Sequence, residues 1–325
     1  MRIFVAGATG VIGRRAVPLL IAAGHQVTAI GRTAEKRADL ARLGAAALGV
    51  DLFNPGELRR AVAGHEVVIN LATHLPAGWR MFAPRAFEEN DRLRRVGAAN
   101  LVYAGIAAGA RRFIQESFAP VYPDGGERWI DETVPIAPVT YNRSVADAER
   151  SAERFNSGDR TGVVLRFAPF YGPDAWQTRQ MIDAVRRGFA PWPGAADGFI
   201  SSVAHDDAAA AVVTALGLRA GAYNVADDEP QRRRDYFDAL AAALGVAPPR
   251  IPPRFVARLF GSLGEMLARS LRLSNRKLRA CGWAPRFASV RDGWPAVVRA
   301  IGTSTVAGRV LQSADRGPKL GGDSS

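Results

Sequence analysis

The sequence of 325 residues has one cysteine, Cys281, three lysines and four histidines. A single cysteine excludes an internal disulfide and a cysteine-based metal site, and it suits a reducing compartment. The histidines, His25, His65, His74 and His205, show no metal-ligand spacing, so no metal site is expected. No uninterrupted apolar run reaches the length of a membrane span, and glycines break the apolar start at once. Neither a transmembrane helix nor a signal peptide is expected, and the expected location is cytoplasmic. Arginine supplies nearly all of the formal charge of +12, because Lys36, Lys277 and Lys319 are the only lysines. The arginines are scattered, with short clusters at 232–234 and 269–279, and lack the interleaved aromatics of a nucleic-acid module. Solvated helix faces and phosphate contacts account for them, and no nucleic-acid partner is expected.

What is present is a glycine-rich start, MRIFVAGATGVIGRR, over residues 1–15. A short apolar run at 3–6 enters a turn holding Gly7, Gly10 and Gly13, and a helix-compatible segment over 11–23 leaves it. Gly-x-x-Gly-x-x-Gly between strand and helix is the setting of a dinucleotide-binding turn. Gly7 permits the tight turn, Gly10 lets backbone N–H groups approach a pyrophosphate, and Gly13 lets helix and strand pack. The helix N-terminus adds partial positive charge toward the phosphates. A plain strand–helix turn rich in glycine is the alternative reading.

The chain then alternates. Strands are expected over 27–30, 47–50, 67–71 and 112–117, with helices over 34–43 and 88–108. Short strand–helix alternation predicts a doubly wound α/β fold with a parallel, Rossmann-like sheet. Ligands of such sheets sit at the carboxyl ends of the strands, where Gly7, Arg32, Asp51 and Ala72 fall. A carboxylate after the second strand would bond the adenosine 2′-hydroxyl of NAD. Here that place holds Arg32, with Thr33 and Lys36 beside it, and Arg14 and Arg15 follow the glycine turn. A guanidinium pairs strongly with phosphate, so NADP is favoured over NAD. A merely solvated Arg32 is the alternative. Residues 75–87 include Pro76, Trp79, Met81, Phe82, Pro84 and Phe87, a loop that lines a pocket or packs on the core.

GATGVIG, Asp51-Leu52, Ala72, a strand ending near Ser117, Val121-Tyr122, Asp131-Glu132-Thr133 and Tyr141 together resemble the extended short-chain dehydrogenase/reductase family. More narrowly they resemble its NAD(P)-dependent epimerase/dehydratase group. The resemblance continues through Leu165-Arg166-Phe167, Tyr171-Gly172-Pro173 and Val203-Ala204-His205-Asp206-Asp207-Ala208. It extends to Tyr223-Asn224-Val225, Ser274-Asn275 and Gly282-Trp283, and so covers about residues 1–300.

The family's usual chemistry uses a tyrosine, a lysine four residues later and a hydroxyl residue from the preceding strand end. The resemblance implies Tyr141 for the tyrosine, but the lysine position is Val145, and no lysine occurs between Lys36 and Lys277. Arg143 belongs to a different helix face. The hydroxyl position is Phe118. Its neighbour Ser117 would serve after a one-residue shift at Pro120, and Glu116, Tyr122 and His205 are further proton donors to weigh. The expected catalytic residues are therefore Tyr141 and Ser117, with a pocket-wall role open for Tyr141. The expected cofactor-binding residues are Gly7, Thr9, Gly10, Val11, Ile12, Gly13, Arg32, Asp51, Leu52, Leu71 and Ala72.

The resemblance further implies a dinucleotide-binding core over 1–165 and, mainly, a smaller substrate lobe over 166–303. Part of that lobe, 205–245, returns to the core, and a polar, disordered tail is expected over 304–325. The lobe's aromatics, among them Tyr171, Trp176 and Trp192, suit a small, partly hydrophobic substrate. The expected activity is an NADP-dependent oxidoreductase or epimerase-like reaction at a carbonyl or hydroxyl group. A non-catalytic NADP-binding sensor is the alternative, and a homodimer is left open.

Overall fold

The computed structural model describes residues 1–75 and 85–314, with the side chains of 304–314 left aside. Pro76, Trp79, Met81, Phe82 and Pro84, expected to line a pocket or pack on the core, lie outside the described residues.

Seven strands form the central sheet: β1 (Arg2–Ala6), β2 (Gln26–Ile30), β3 (Ala46–Leu48), β4 (Val67–Asn70), β5 (Arg112–Phe118), β6 (Thr161–Phe167) and β7 (Gly221–Val225). Their spatial order is β7-β6-β5-β4-β1-β2-β3, and every pairing is parallel. The reversal beside β1 makes this a doubly wound Rossmann-like sheet, and all carboxyl ends share one edge. Both faces are covered, so β1 and β4 read as continuous apolar runs.

Helix α1 (Gly13–Ala22) leaves the glycine turn, and α2 (Ala34–Arg42) is capped by the Thr33 hydroxyl. Helix α3 (Pro55–Val62) starts with Asn54 accepting from the amides of Gly56 and Glu57 and with proline at its first position. The helix expected over 88–108 is interrupted. It comprises α4 (Glu88–Arg92), a π-helical turn (Leu93–Gly97) and α5 (Ala98–Ala107). Helix α6 (Ser144–Phe155) follows a single 3-10 turn, Thr140–Asn142.

One core cluster joins Ile3, Val5, Ile69, Ile114 and Leu165 to α1. A second, on the other face, joins Phe4, Val68 and Phe113 to α3, α5 and α6. A third cluster is centred on Tyr171, Tyr236, Phe237 and Trp294, away from the central sheet. It is built by α7 (Trp176–Arg186), α9 (Arg233–Leu244) and the start of the last helix, whereas α8 (His205–Thr214) belongs to the first cluster and packs on α1. A helix, Gly261–Ala268, bears on the segments that precede α6. The last helix, Val290–Ala314, runs into the segment expected to be a tail, and 315–325 lie outside the described residues.

Candidate functional site

The glycine turn is held by close contacts that only glycine allows. Gly7 has φ +79°, and a Cβ there would lie 2.3 Å from the Leu71 carbonyl carbon. The turn therefore crosses directly over the end of β4, which brings Gly7 together with Leu71 and Ala72. A Cβ on Gly13 would sit 2.3 Å from the Gly7 oxygen, so α1 packs against its own approach strand only with glycine there. Gly10 donates its amide to the Gly7 carbonyl at 3.1 Å. A Cβ on Gly10 would meet nothing but that oxygen, at 3.3 Å, and the outer side of the turn is open. Thr9 and Val11 flank that opening half-buried, and Ile12 turns into the core. No side chain caps α1, and the Arg14 amide bonds the Gly10 carbonyl while those of Arg15 and Ala16 bond Ile12, which leaves the amides of Val11, Ile12 and Gly13 for an anion. This open cradle at a helix N-terminus fits a pyrophosphate.

The other residues expected at the cofactor line the same sheet edge. Arg32 follows β2 and pairs with Glu89 of α4 at 3.2 Å. Both side chains are largely exposed, and such a pair contributes little to stability, so Arg32 is free to exchange partners. Arg37 closes the loop by donating to the Gly31 carbonyl at 3.1 Å. Asp51 accepts the Phe53 amide at 2.9 Å, and the Leu52 carbonyl accepts from Asn100 at 3.0 Å. Ala72 donates its amide to Asn70 at 3.1 Å. Arg14 and Arg15 are otherwise engaged. Both pair with Asp174, and Arg15 also pairs with Asp206 at 2.7 Å, which ties α1 to α8 and the loop before α7.

The residues expected to be catalytic form one isolated tyrosine and one closed network. Tyr141 lies in the 3-10 turn before α6 with its ring edge-on to Phe87, 4.6 Å between centroids. Burial pushes its hydroxyl above the ordinary tyrosine range, with the Arg94 charge pulling the other way. The turn is fixed by Asn142, which accepts from the Val139 amide at 2.9 Å and donates to the Pro120 carbonyl at 3.1 Å. Val145, one helical turn on, is fully buried.

Ser117 is not brought together with Tyr141. β5 is regular to its end, so Ser117 faces α6, is 1% exposed and donates its hydroxyl to Glu149. Arg166 grips the same carboxylate with two bonds, at 2.9 and 2.7 Å, and donates to the Tyr122 hydroxyl at 2.6 Å. Tyr122 in turn donates to Asn224 at 2.9 Å, and the Asn224 amide bonds Glu132 at 2.7 Å. Burial pushes Tyr122 up to about 12, with Arg166 opposing. Glu149 reverses the downward pull of burial on Arg166 and raises it. This chain bolts β5, β6, β7 and α6 together and offers no free proton donor.

His205 opens α8 and is 2% exposed, with Nδ1 3.2 Å from Asp174. Burial and the neighbouring Arg15 charge bring it down to about 4, so it is neutral at pH 7. Glu116 is different. Its Oε2 is shielded from solvent without a hydrogen-bond partner, and burial pushes its carboxyl up, against the pull of Arg94. The residue missed from sequence is Arg94. It is 7% exposed on the π-helical turn, and its charge reaches both Glu116 and Tyr141. Nothing local in the sequence marks it, because the arginines around it are solvated helix residues.

A sequence-family model described as NAD(P)H-binding matches residues 7–162. Over 308 residues the chain is 37% identical to a Streptomyces 3-diazoavenalumate denitrifying reductase, covering 90% of this chain and 99% of that protein. The chain belongs to the extended short-chain dehydrogenase/reductase family. A 2-alkyl-3-oxoalkanoate reductase of Shewanella oneidensis is 28% identical, over 84% of this chain and 73% of its own length. The crystal structure of human epimerase family protein SDR39U1 with NADPH superposes with a TM-score of 0.77, at 20% identity, covering 92% of this chain and 99% of that one. The short-chain dehydrogenase/reductase fold thus carries the glycine cradle where the family model begins, and no metal cluster occurs among the described residues. No helix among the described residues is long and apolar enough to cross a membrane.

Proposed function

We propose that this protein is an NADPH-dependent reductase of a small, partly apolar organic molecule, working without the family's tyrosine–lysine pair. The observation that carries the reading is the cradle at Gly7, Gly10 and Gly13, open on its outer side where the turn enters α1. Gly7, Thr9, Gly10, Val11, Ile12 and Gly13 would hold the pyrophosphate. Leu71 and Ala72, with Asp51 and Leu52, would border the rest of the dinucleotide. Arg32 supports NADP over NAD: it stands where NAD-specific folds place a carboxylate, and its exposed pair with Glu89 yields readily to a phosphate.

A reduced nicotinamide, when bound, supplies hydride, either to a carbonyl carbon whose oxygen takes up a proton or to a carbon that releases dinitrogen with no proton needed. Tyr141 is the half-buried hydroxyl in position to donate to a substrate oxygen. Ser117 serves the Glu149 network instead, and Phe87 with Tyr141 gives the site an aromatic wall. A second reading has a specific support. Val145 replaces the lysine and Ser117 is engaged elsewhere, so the proton-relay residues are missing, as suits a reaction that expels dinitrogen. The relative named as a denitrifying reductase of a diazo compound agrees with it.

The test is NADPH oxidation by the full chain against 3-oxoacids, aryl ketones and aryl diazonium salts, followed at the nicotinamide absorbance band. Turnover with carbonyl compounds supports the first reading, and gas release from diazonium salts alone supports the second. NADPH binding without turnover on any of them overturns the reductase reading in favour of a cofactor-binding sensor.

A further inference from the structure

We propose that the cleft between the 3-10 turn Arg254–Phe260 and the helix Gly261–Ala268 binds the acid end of the substrate, with Arg258 selecting a carboxylate carried on an apolar body. The proposal deepens the reductase reading and rests on it only in taking the bound molecule to be the substrate.

The cleft measures about 630 Å³, the size of a small-molecule site, and its lining includes Arg254, Phe255, Arg258, Glu265 and Ala268. Its two walls form one unit. A Cβ on Gly264 would lie 2.0 Å from the Ala257 carbonyl oxygen, so helix and turn touch backbone to backbone. Glu265 and Ala268, three positions apart, share the helix face that lines the cleft. Met266 belongs to another face. It is buried, and its Sδ lies 3.6 Å from the Asn142 side-chain nitrogen. Asn142 fixes the turn that carries Tyr141, so the helix walling the cleft also bears on the Tyr141 turn.

The charges decide what the cleft takes. Arg254 pairs with Asp124 at 2.9 Å, and Glu265 lies 3.5 Å from Arg269, so both acids at the cleft are answered. Arg258 is exposed, and no carboxylate among the described residues lies within ion-pair distance of it. Arg233 stands nearby, fully buried, and donates to the carbonyls of Ala195 and of Arg269, the residue after Ala268, each at 3.2 Å. Its Nη1 is buried without a partner, and Asp124, the acid whose charge reaches it, belongs to Arg254. Positive charge is left over beside the cleft, and a bound anion compensates it. The planar guanidinium of Arg258 suits a carboxylate, which it holds through two parallel bonds.

Apolar surface supplies the rest. Phe255 on the cleft wall is 69% exposed, and Leu259, next to Arg258 on the turn, is 80% exposed. Two large apolar side chains left in water on one short turn offer a face that the apolar body of a ligand covers.

The experiment titrates the full chain by calorimetry at pH 7 with octanoate and with octanol, both below aggregation. The acid is expected to bind about 10-fold more tightly than the alcohol, the scale of one charge-assisted contact. Arg258→Gln is expected to remove that preference and leave octanol binding unchanged, and Arg258→Lys to keep part of it. Phe255→Ser is expected to weaken both ligands. Both side chains are exposed, so the variants keep the fold. In turnover, benzoylpropionate is expected to show a KM about 10-fold below that of its methyl ester, and Arg258→Gln to erase the difference at unchanged kcat. Equal binding of acid and alcohol, no saturable binding of the acid, or acid binding indifferent to Arg258→Gln overturns the proposal. So does reduction of the methyl ester at a KM no higher than that of the acid. If the parent reduces no carbonyl compound, the reductase reading fails while the calorimetry still decides the cleft.

Discussion

Replacing Ser117 by alanine separates two roles that its hydroxyl could have. In the family pattern a hydroxyl near this strand end touches the reacting oxygen, whereas here it is 1% exposed and bonded to Glu149. Hydrogen bonds to charged groups contribute about 1.5–3 kcal/mol. Glu149 keeps both Arg166 bonds after the substitution, so its carboxylate is not left bare and the cost falls near the lower end, about 1.5 kcal/mol. For a chain of this size that corresponds to a fall in Tm of roughly 2 °C. The assay is a thermal melt of both proteins at pH 7 beside kcat and KM with NADPH. The expected result is a lowered Tm with kcat unchanged. A kcat lower by about 10²-fold with an unchanged Tm would place Ser117 at the reacting atoms and refute the reasoning.

Other outcomes follow from the same geometry. Arg32→Asp should weaken NADPH binding far more than NADH binding in a fluorescence titration, and an equal loss for both would remove Arg32 from the 2′-phosphate. His205 is held at about 4 against an ordinary 6.5, so the unfolded chain takes up the proton first. The stability linked to its neutral form is complete above pH 6.5 and is lost as pH falls toward 4, up to about 3 kcal/mol. His205→Gln should therefore lose less Tm than the parent between pH 7 and 5, and identical acid profiles would contradict this.

The glycine turn and the parallel sheet were largely legible in the sequence because their signals are local. Glycines at fixed spacing after an apolar run dictate a turn whatever the rest of the chain does, and the strand–helix alternation dictates a parallel sheet. The edge strand was read less well, at 47–50 against Ala46–Leu48, because it is only three residues long and largely exposed, so burial does little to fix its ends. The break in the 88–108 helix left no mark, since one extra residue in a turn barely disturbs a helical pattern. The partners of Ser117 and Tyr122 were not legible for a physical reason. Ser117 meets Glu149 across 32 positions, and Tyr122 meets Asn224 across 102. Such partners are chosen by the register of β5 against β6 and β7, which a sequence does not display. Tyr122 and His205, conspicuous as residue types, are both committed to buried contacts, while Arg94 is hidden among ordinary arginines.

The central claim is that the glycine cradle holds NADPH for reduction. A fluorescence titration of the full chain with NADPH and then NADH, with carbonyl and diazonium substrates added to the same cuvette, tests it most directly. Tighter binding of NADPH than NADH, followed by substrate-dependent loss of nicotinamide absorbance, is the expected result. Absence of NADPH binding would contradict it and leave the turn as a structural element alone.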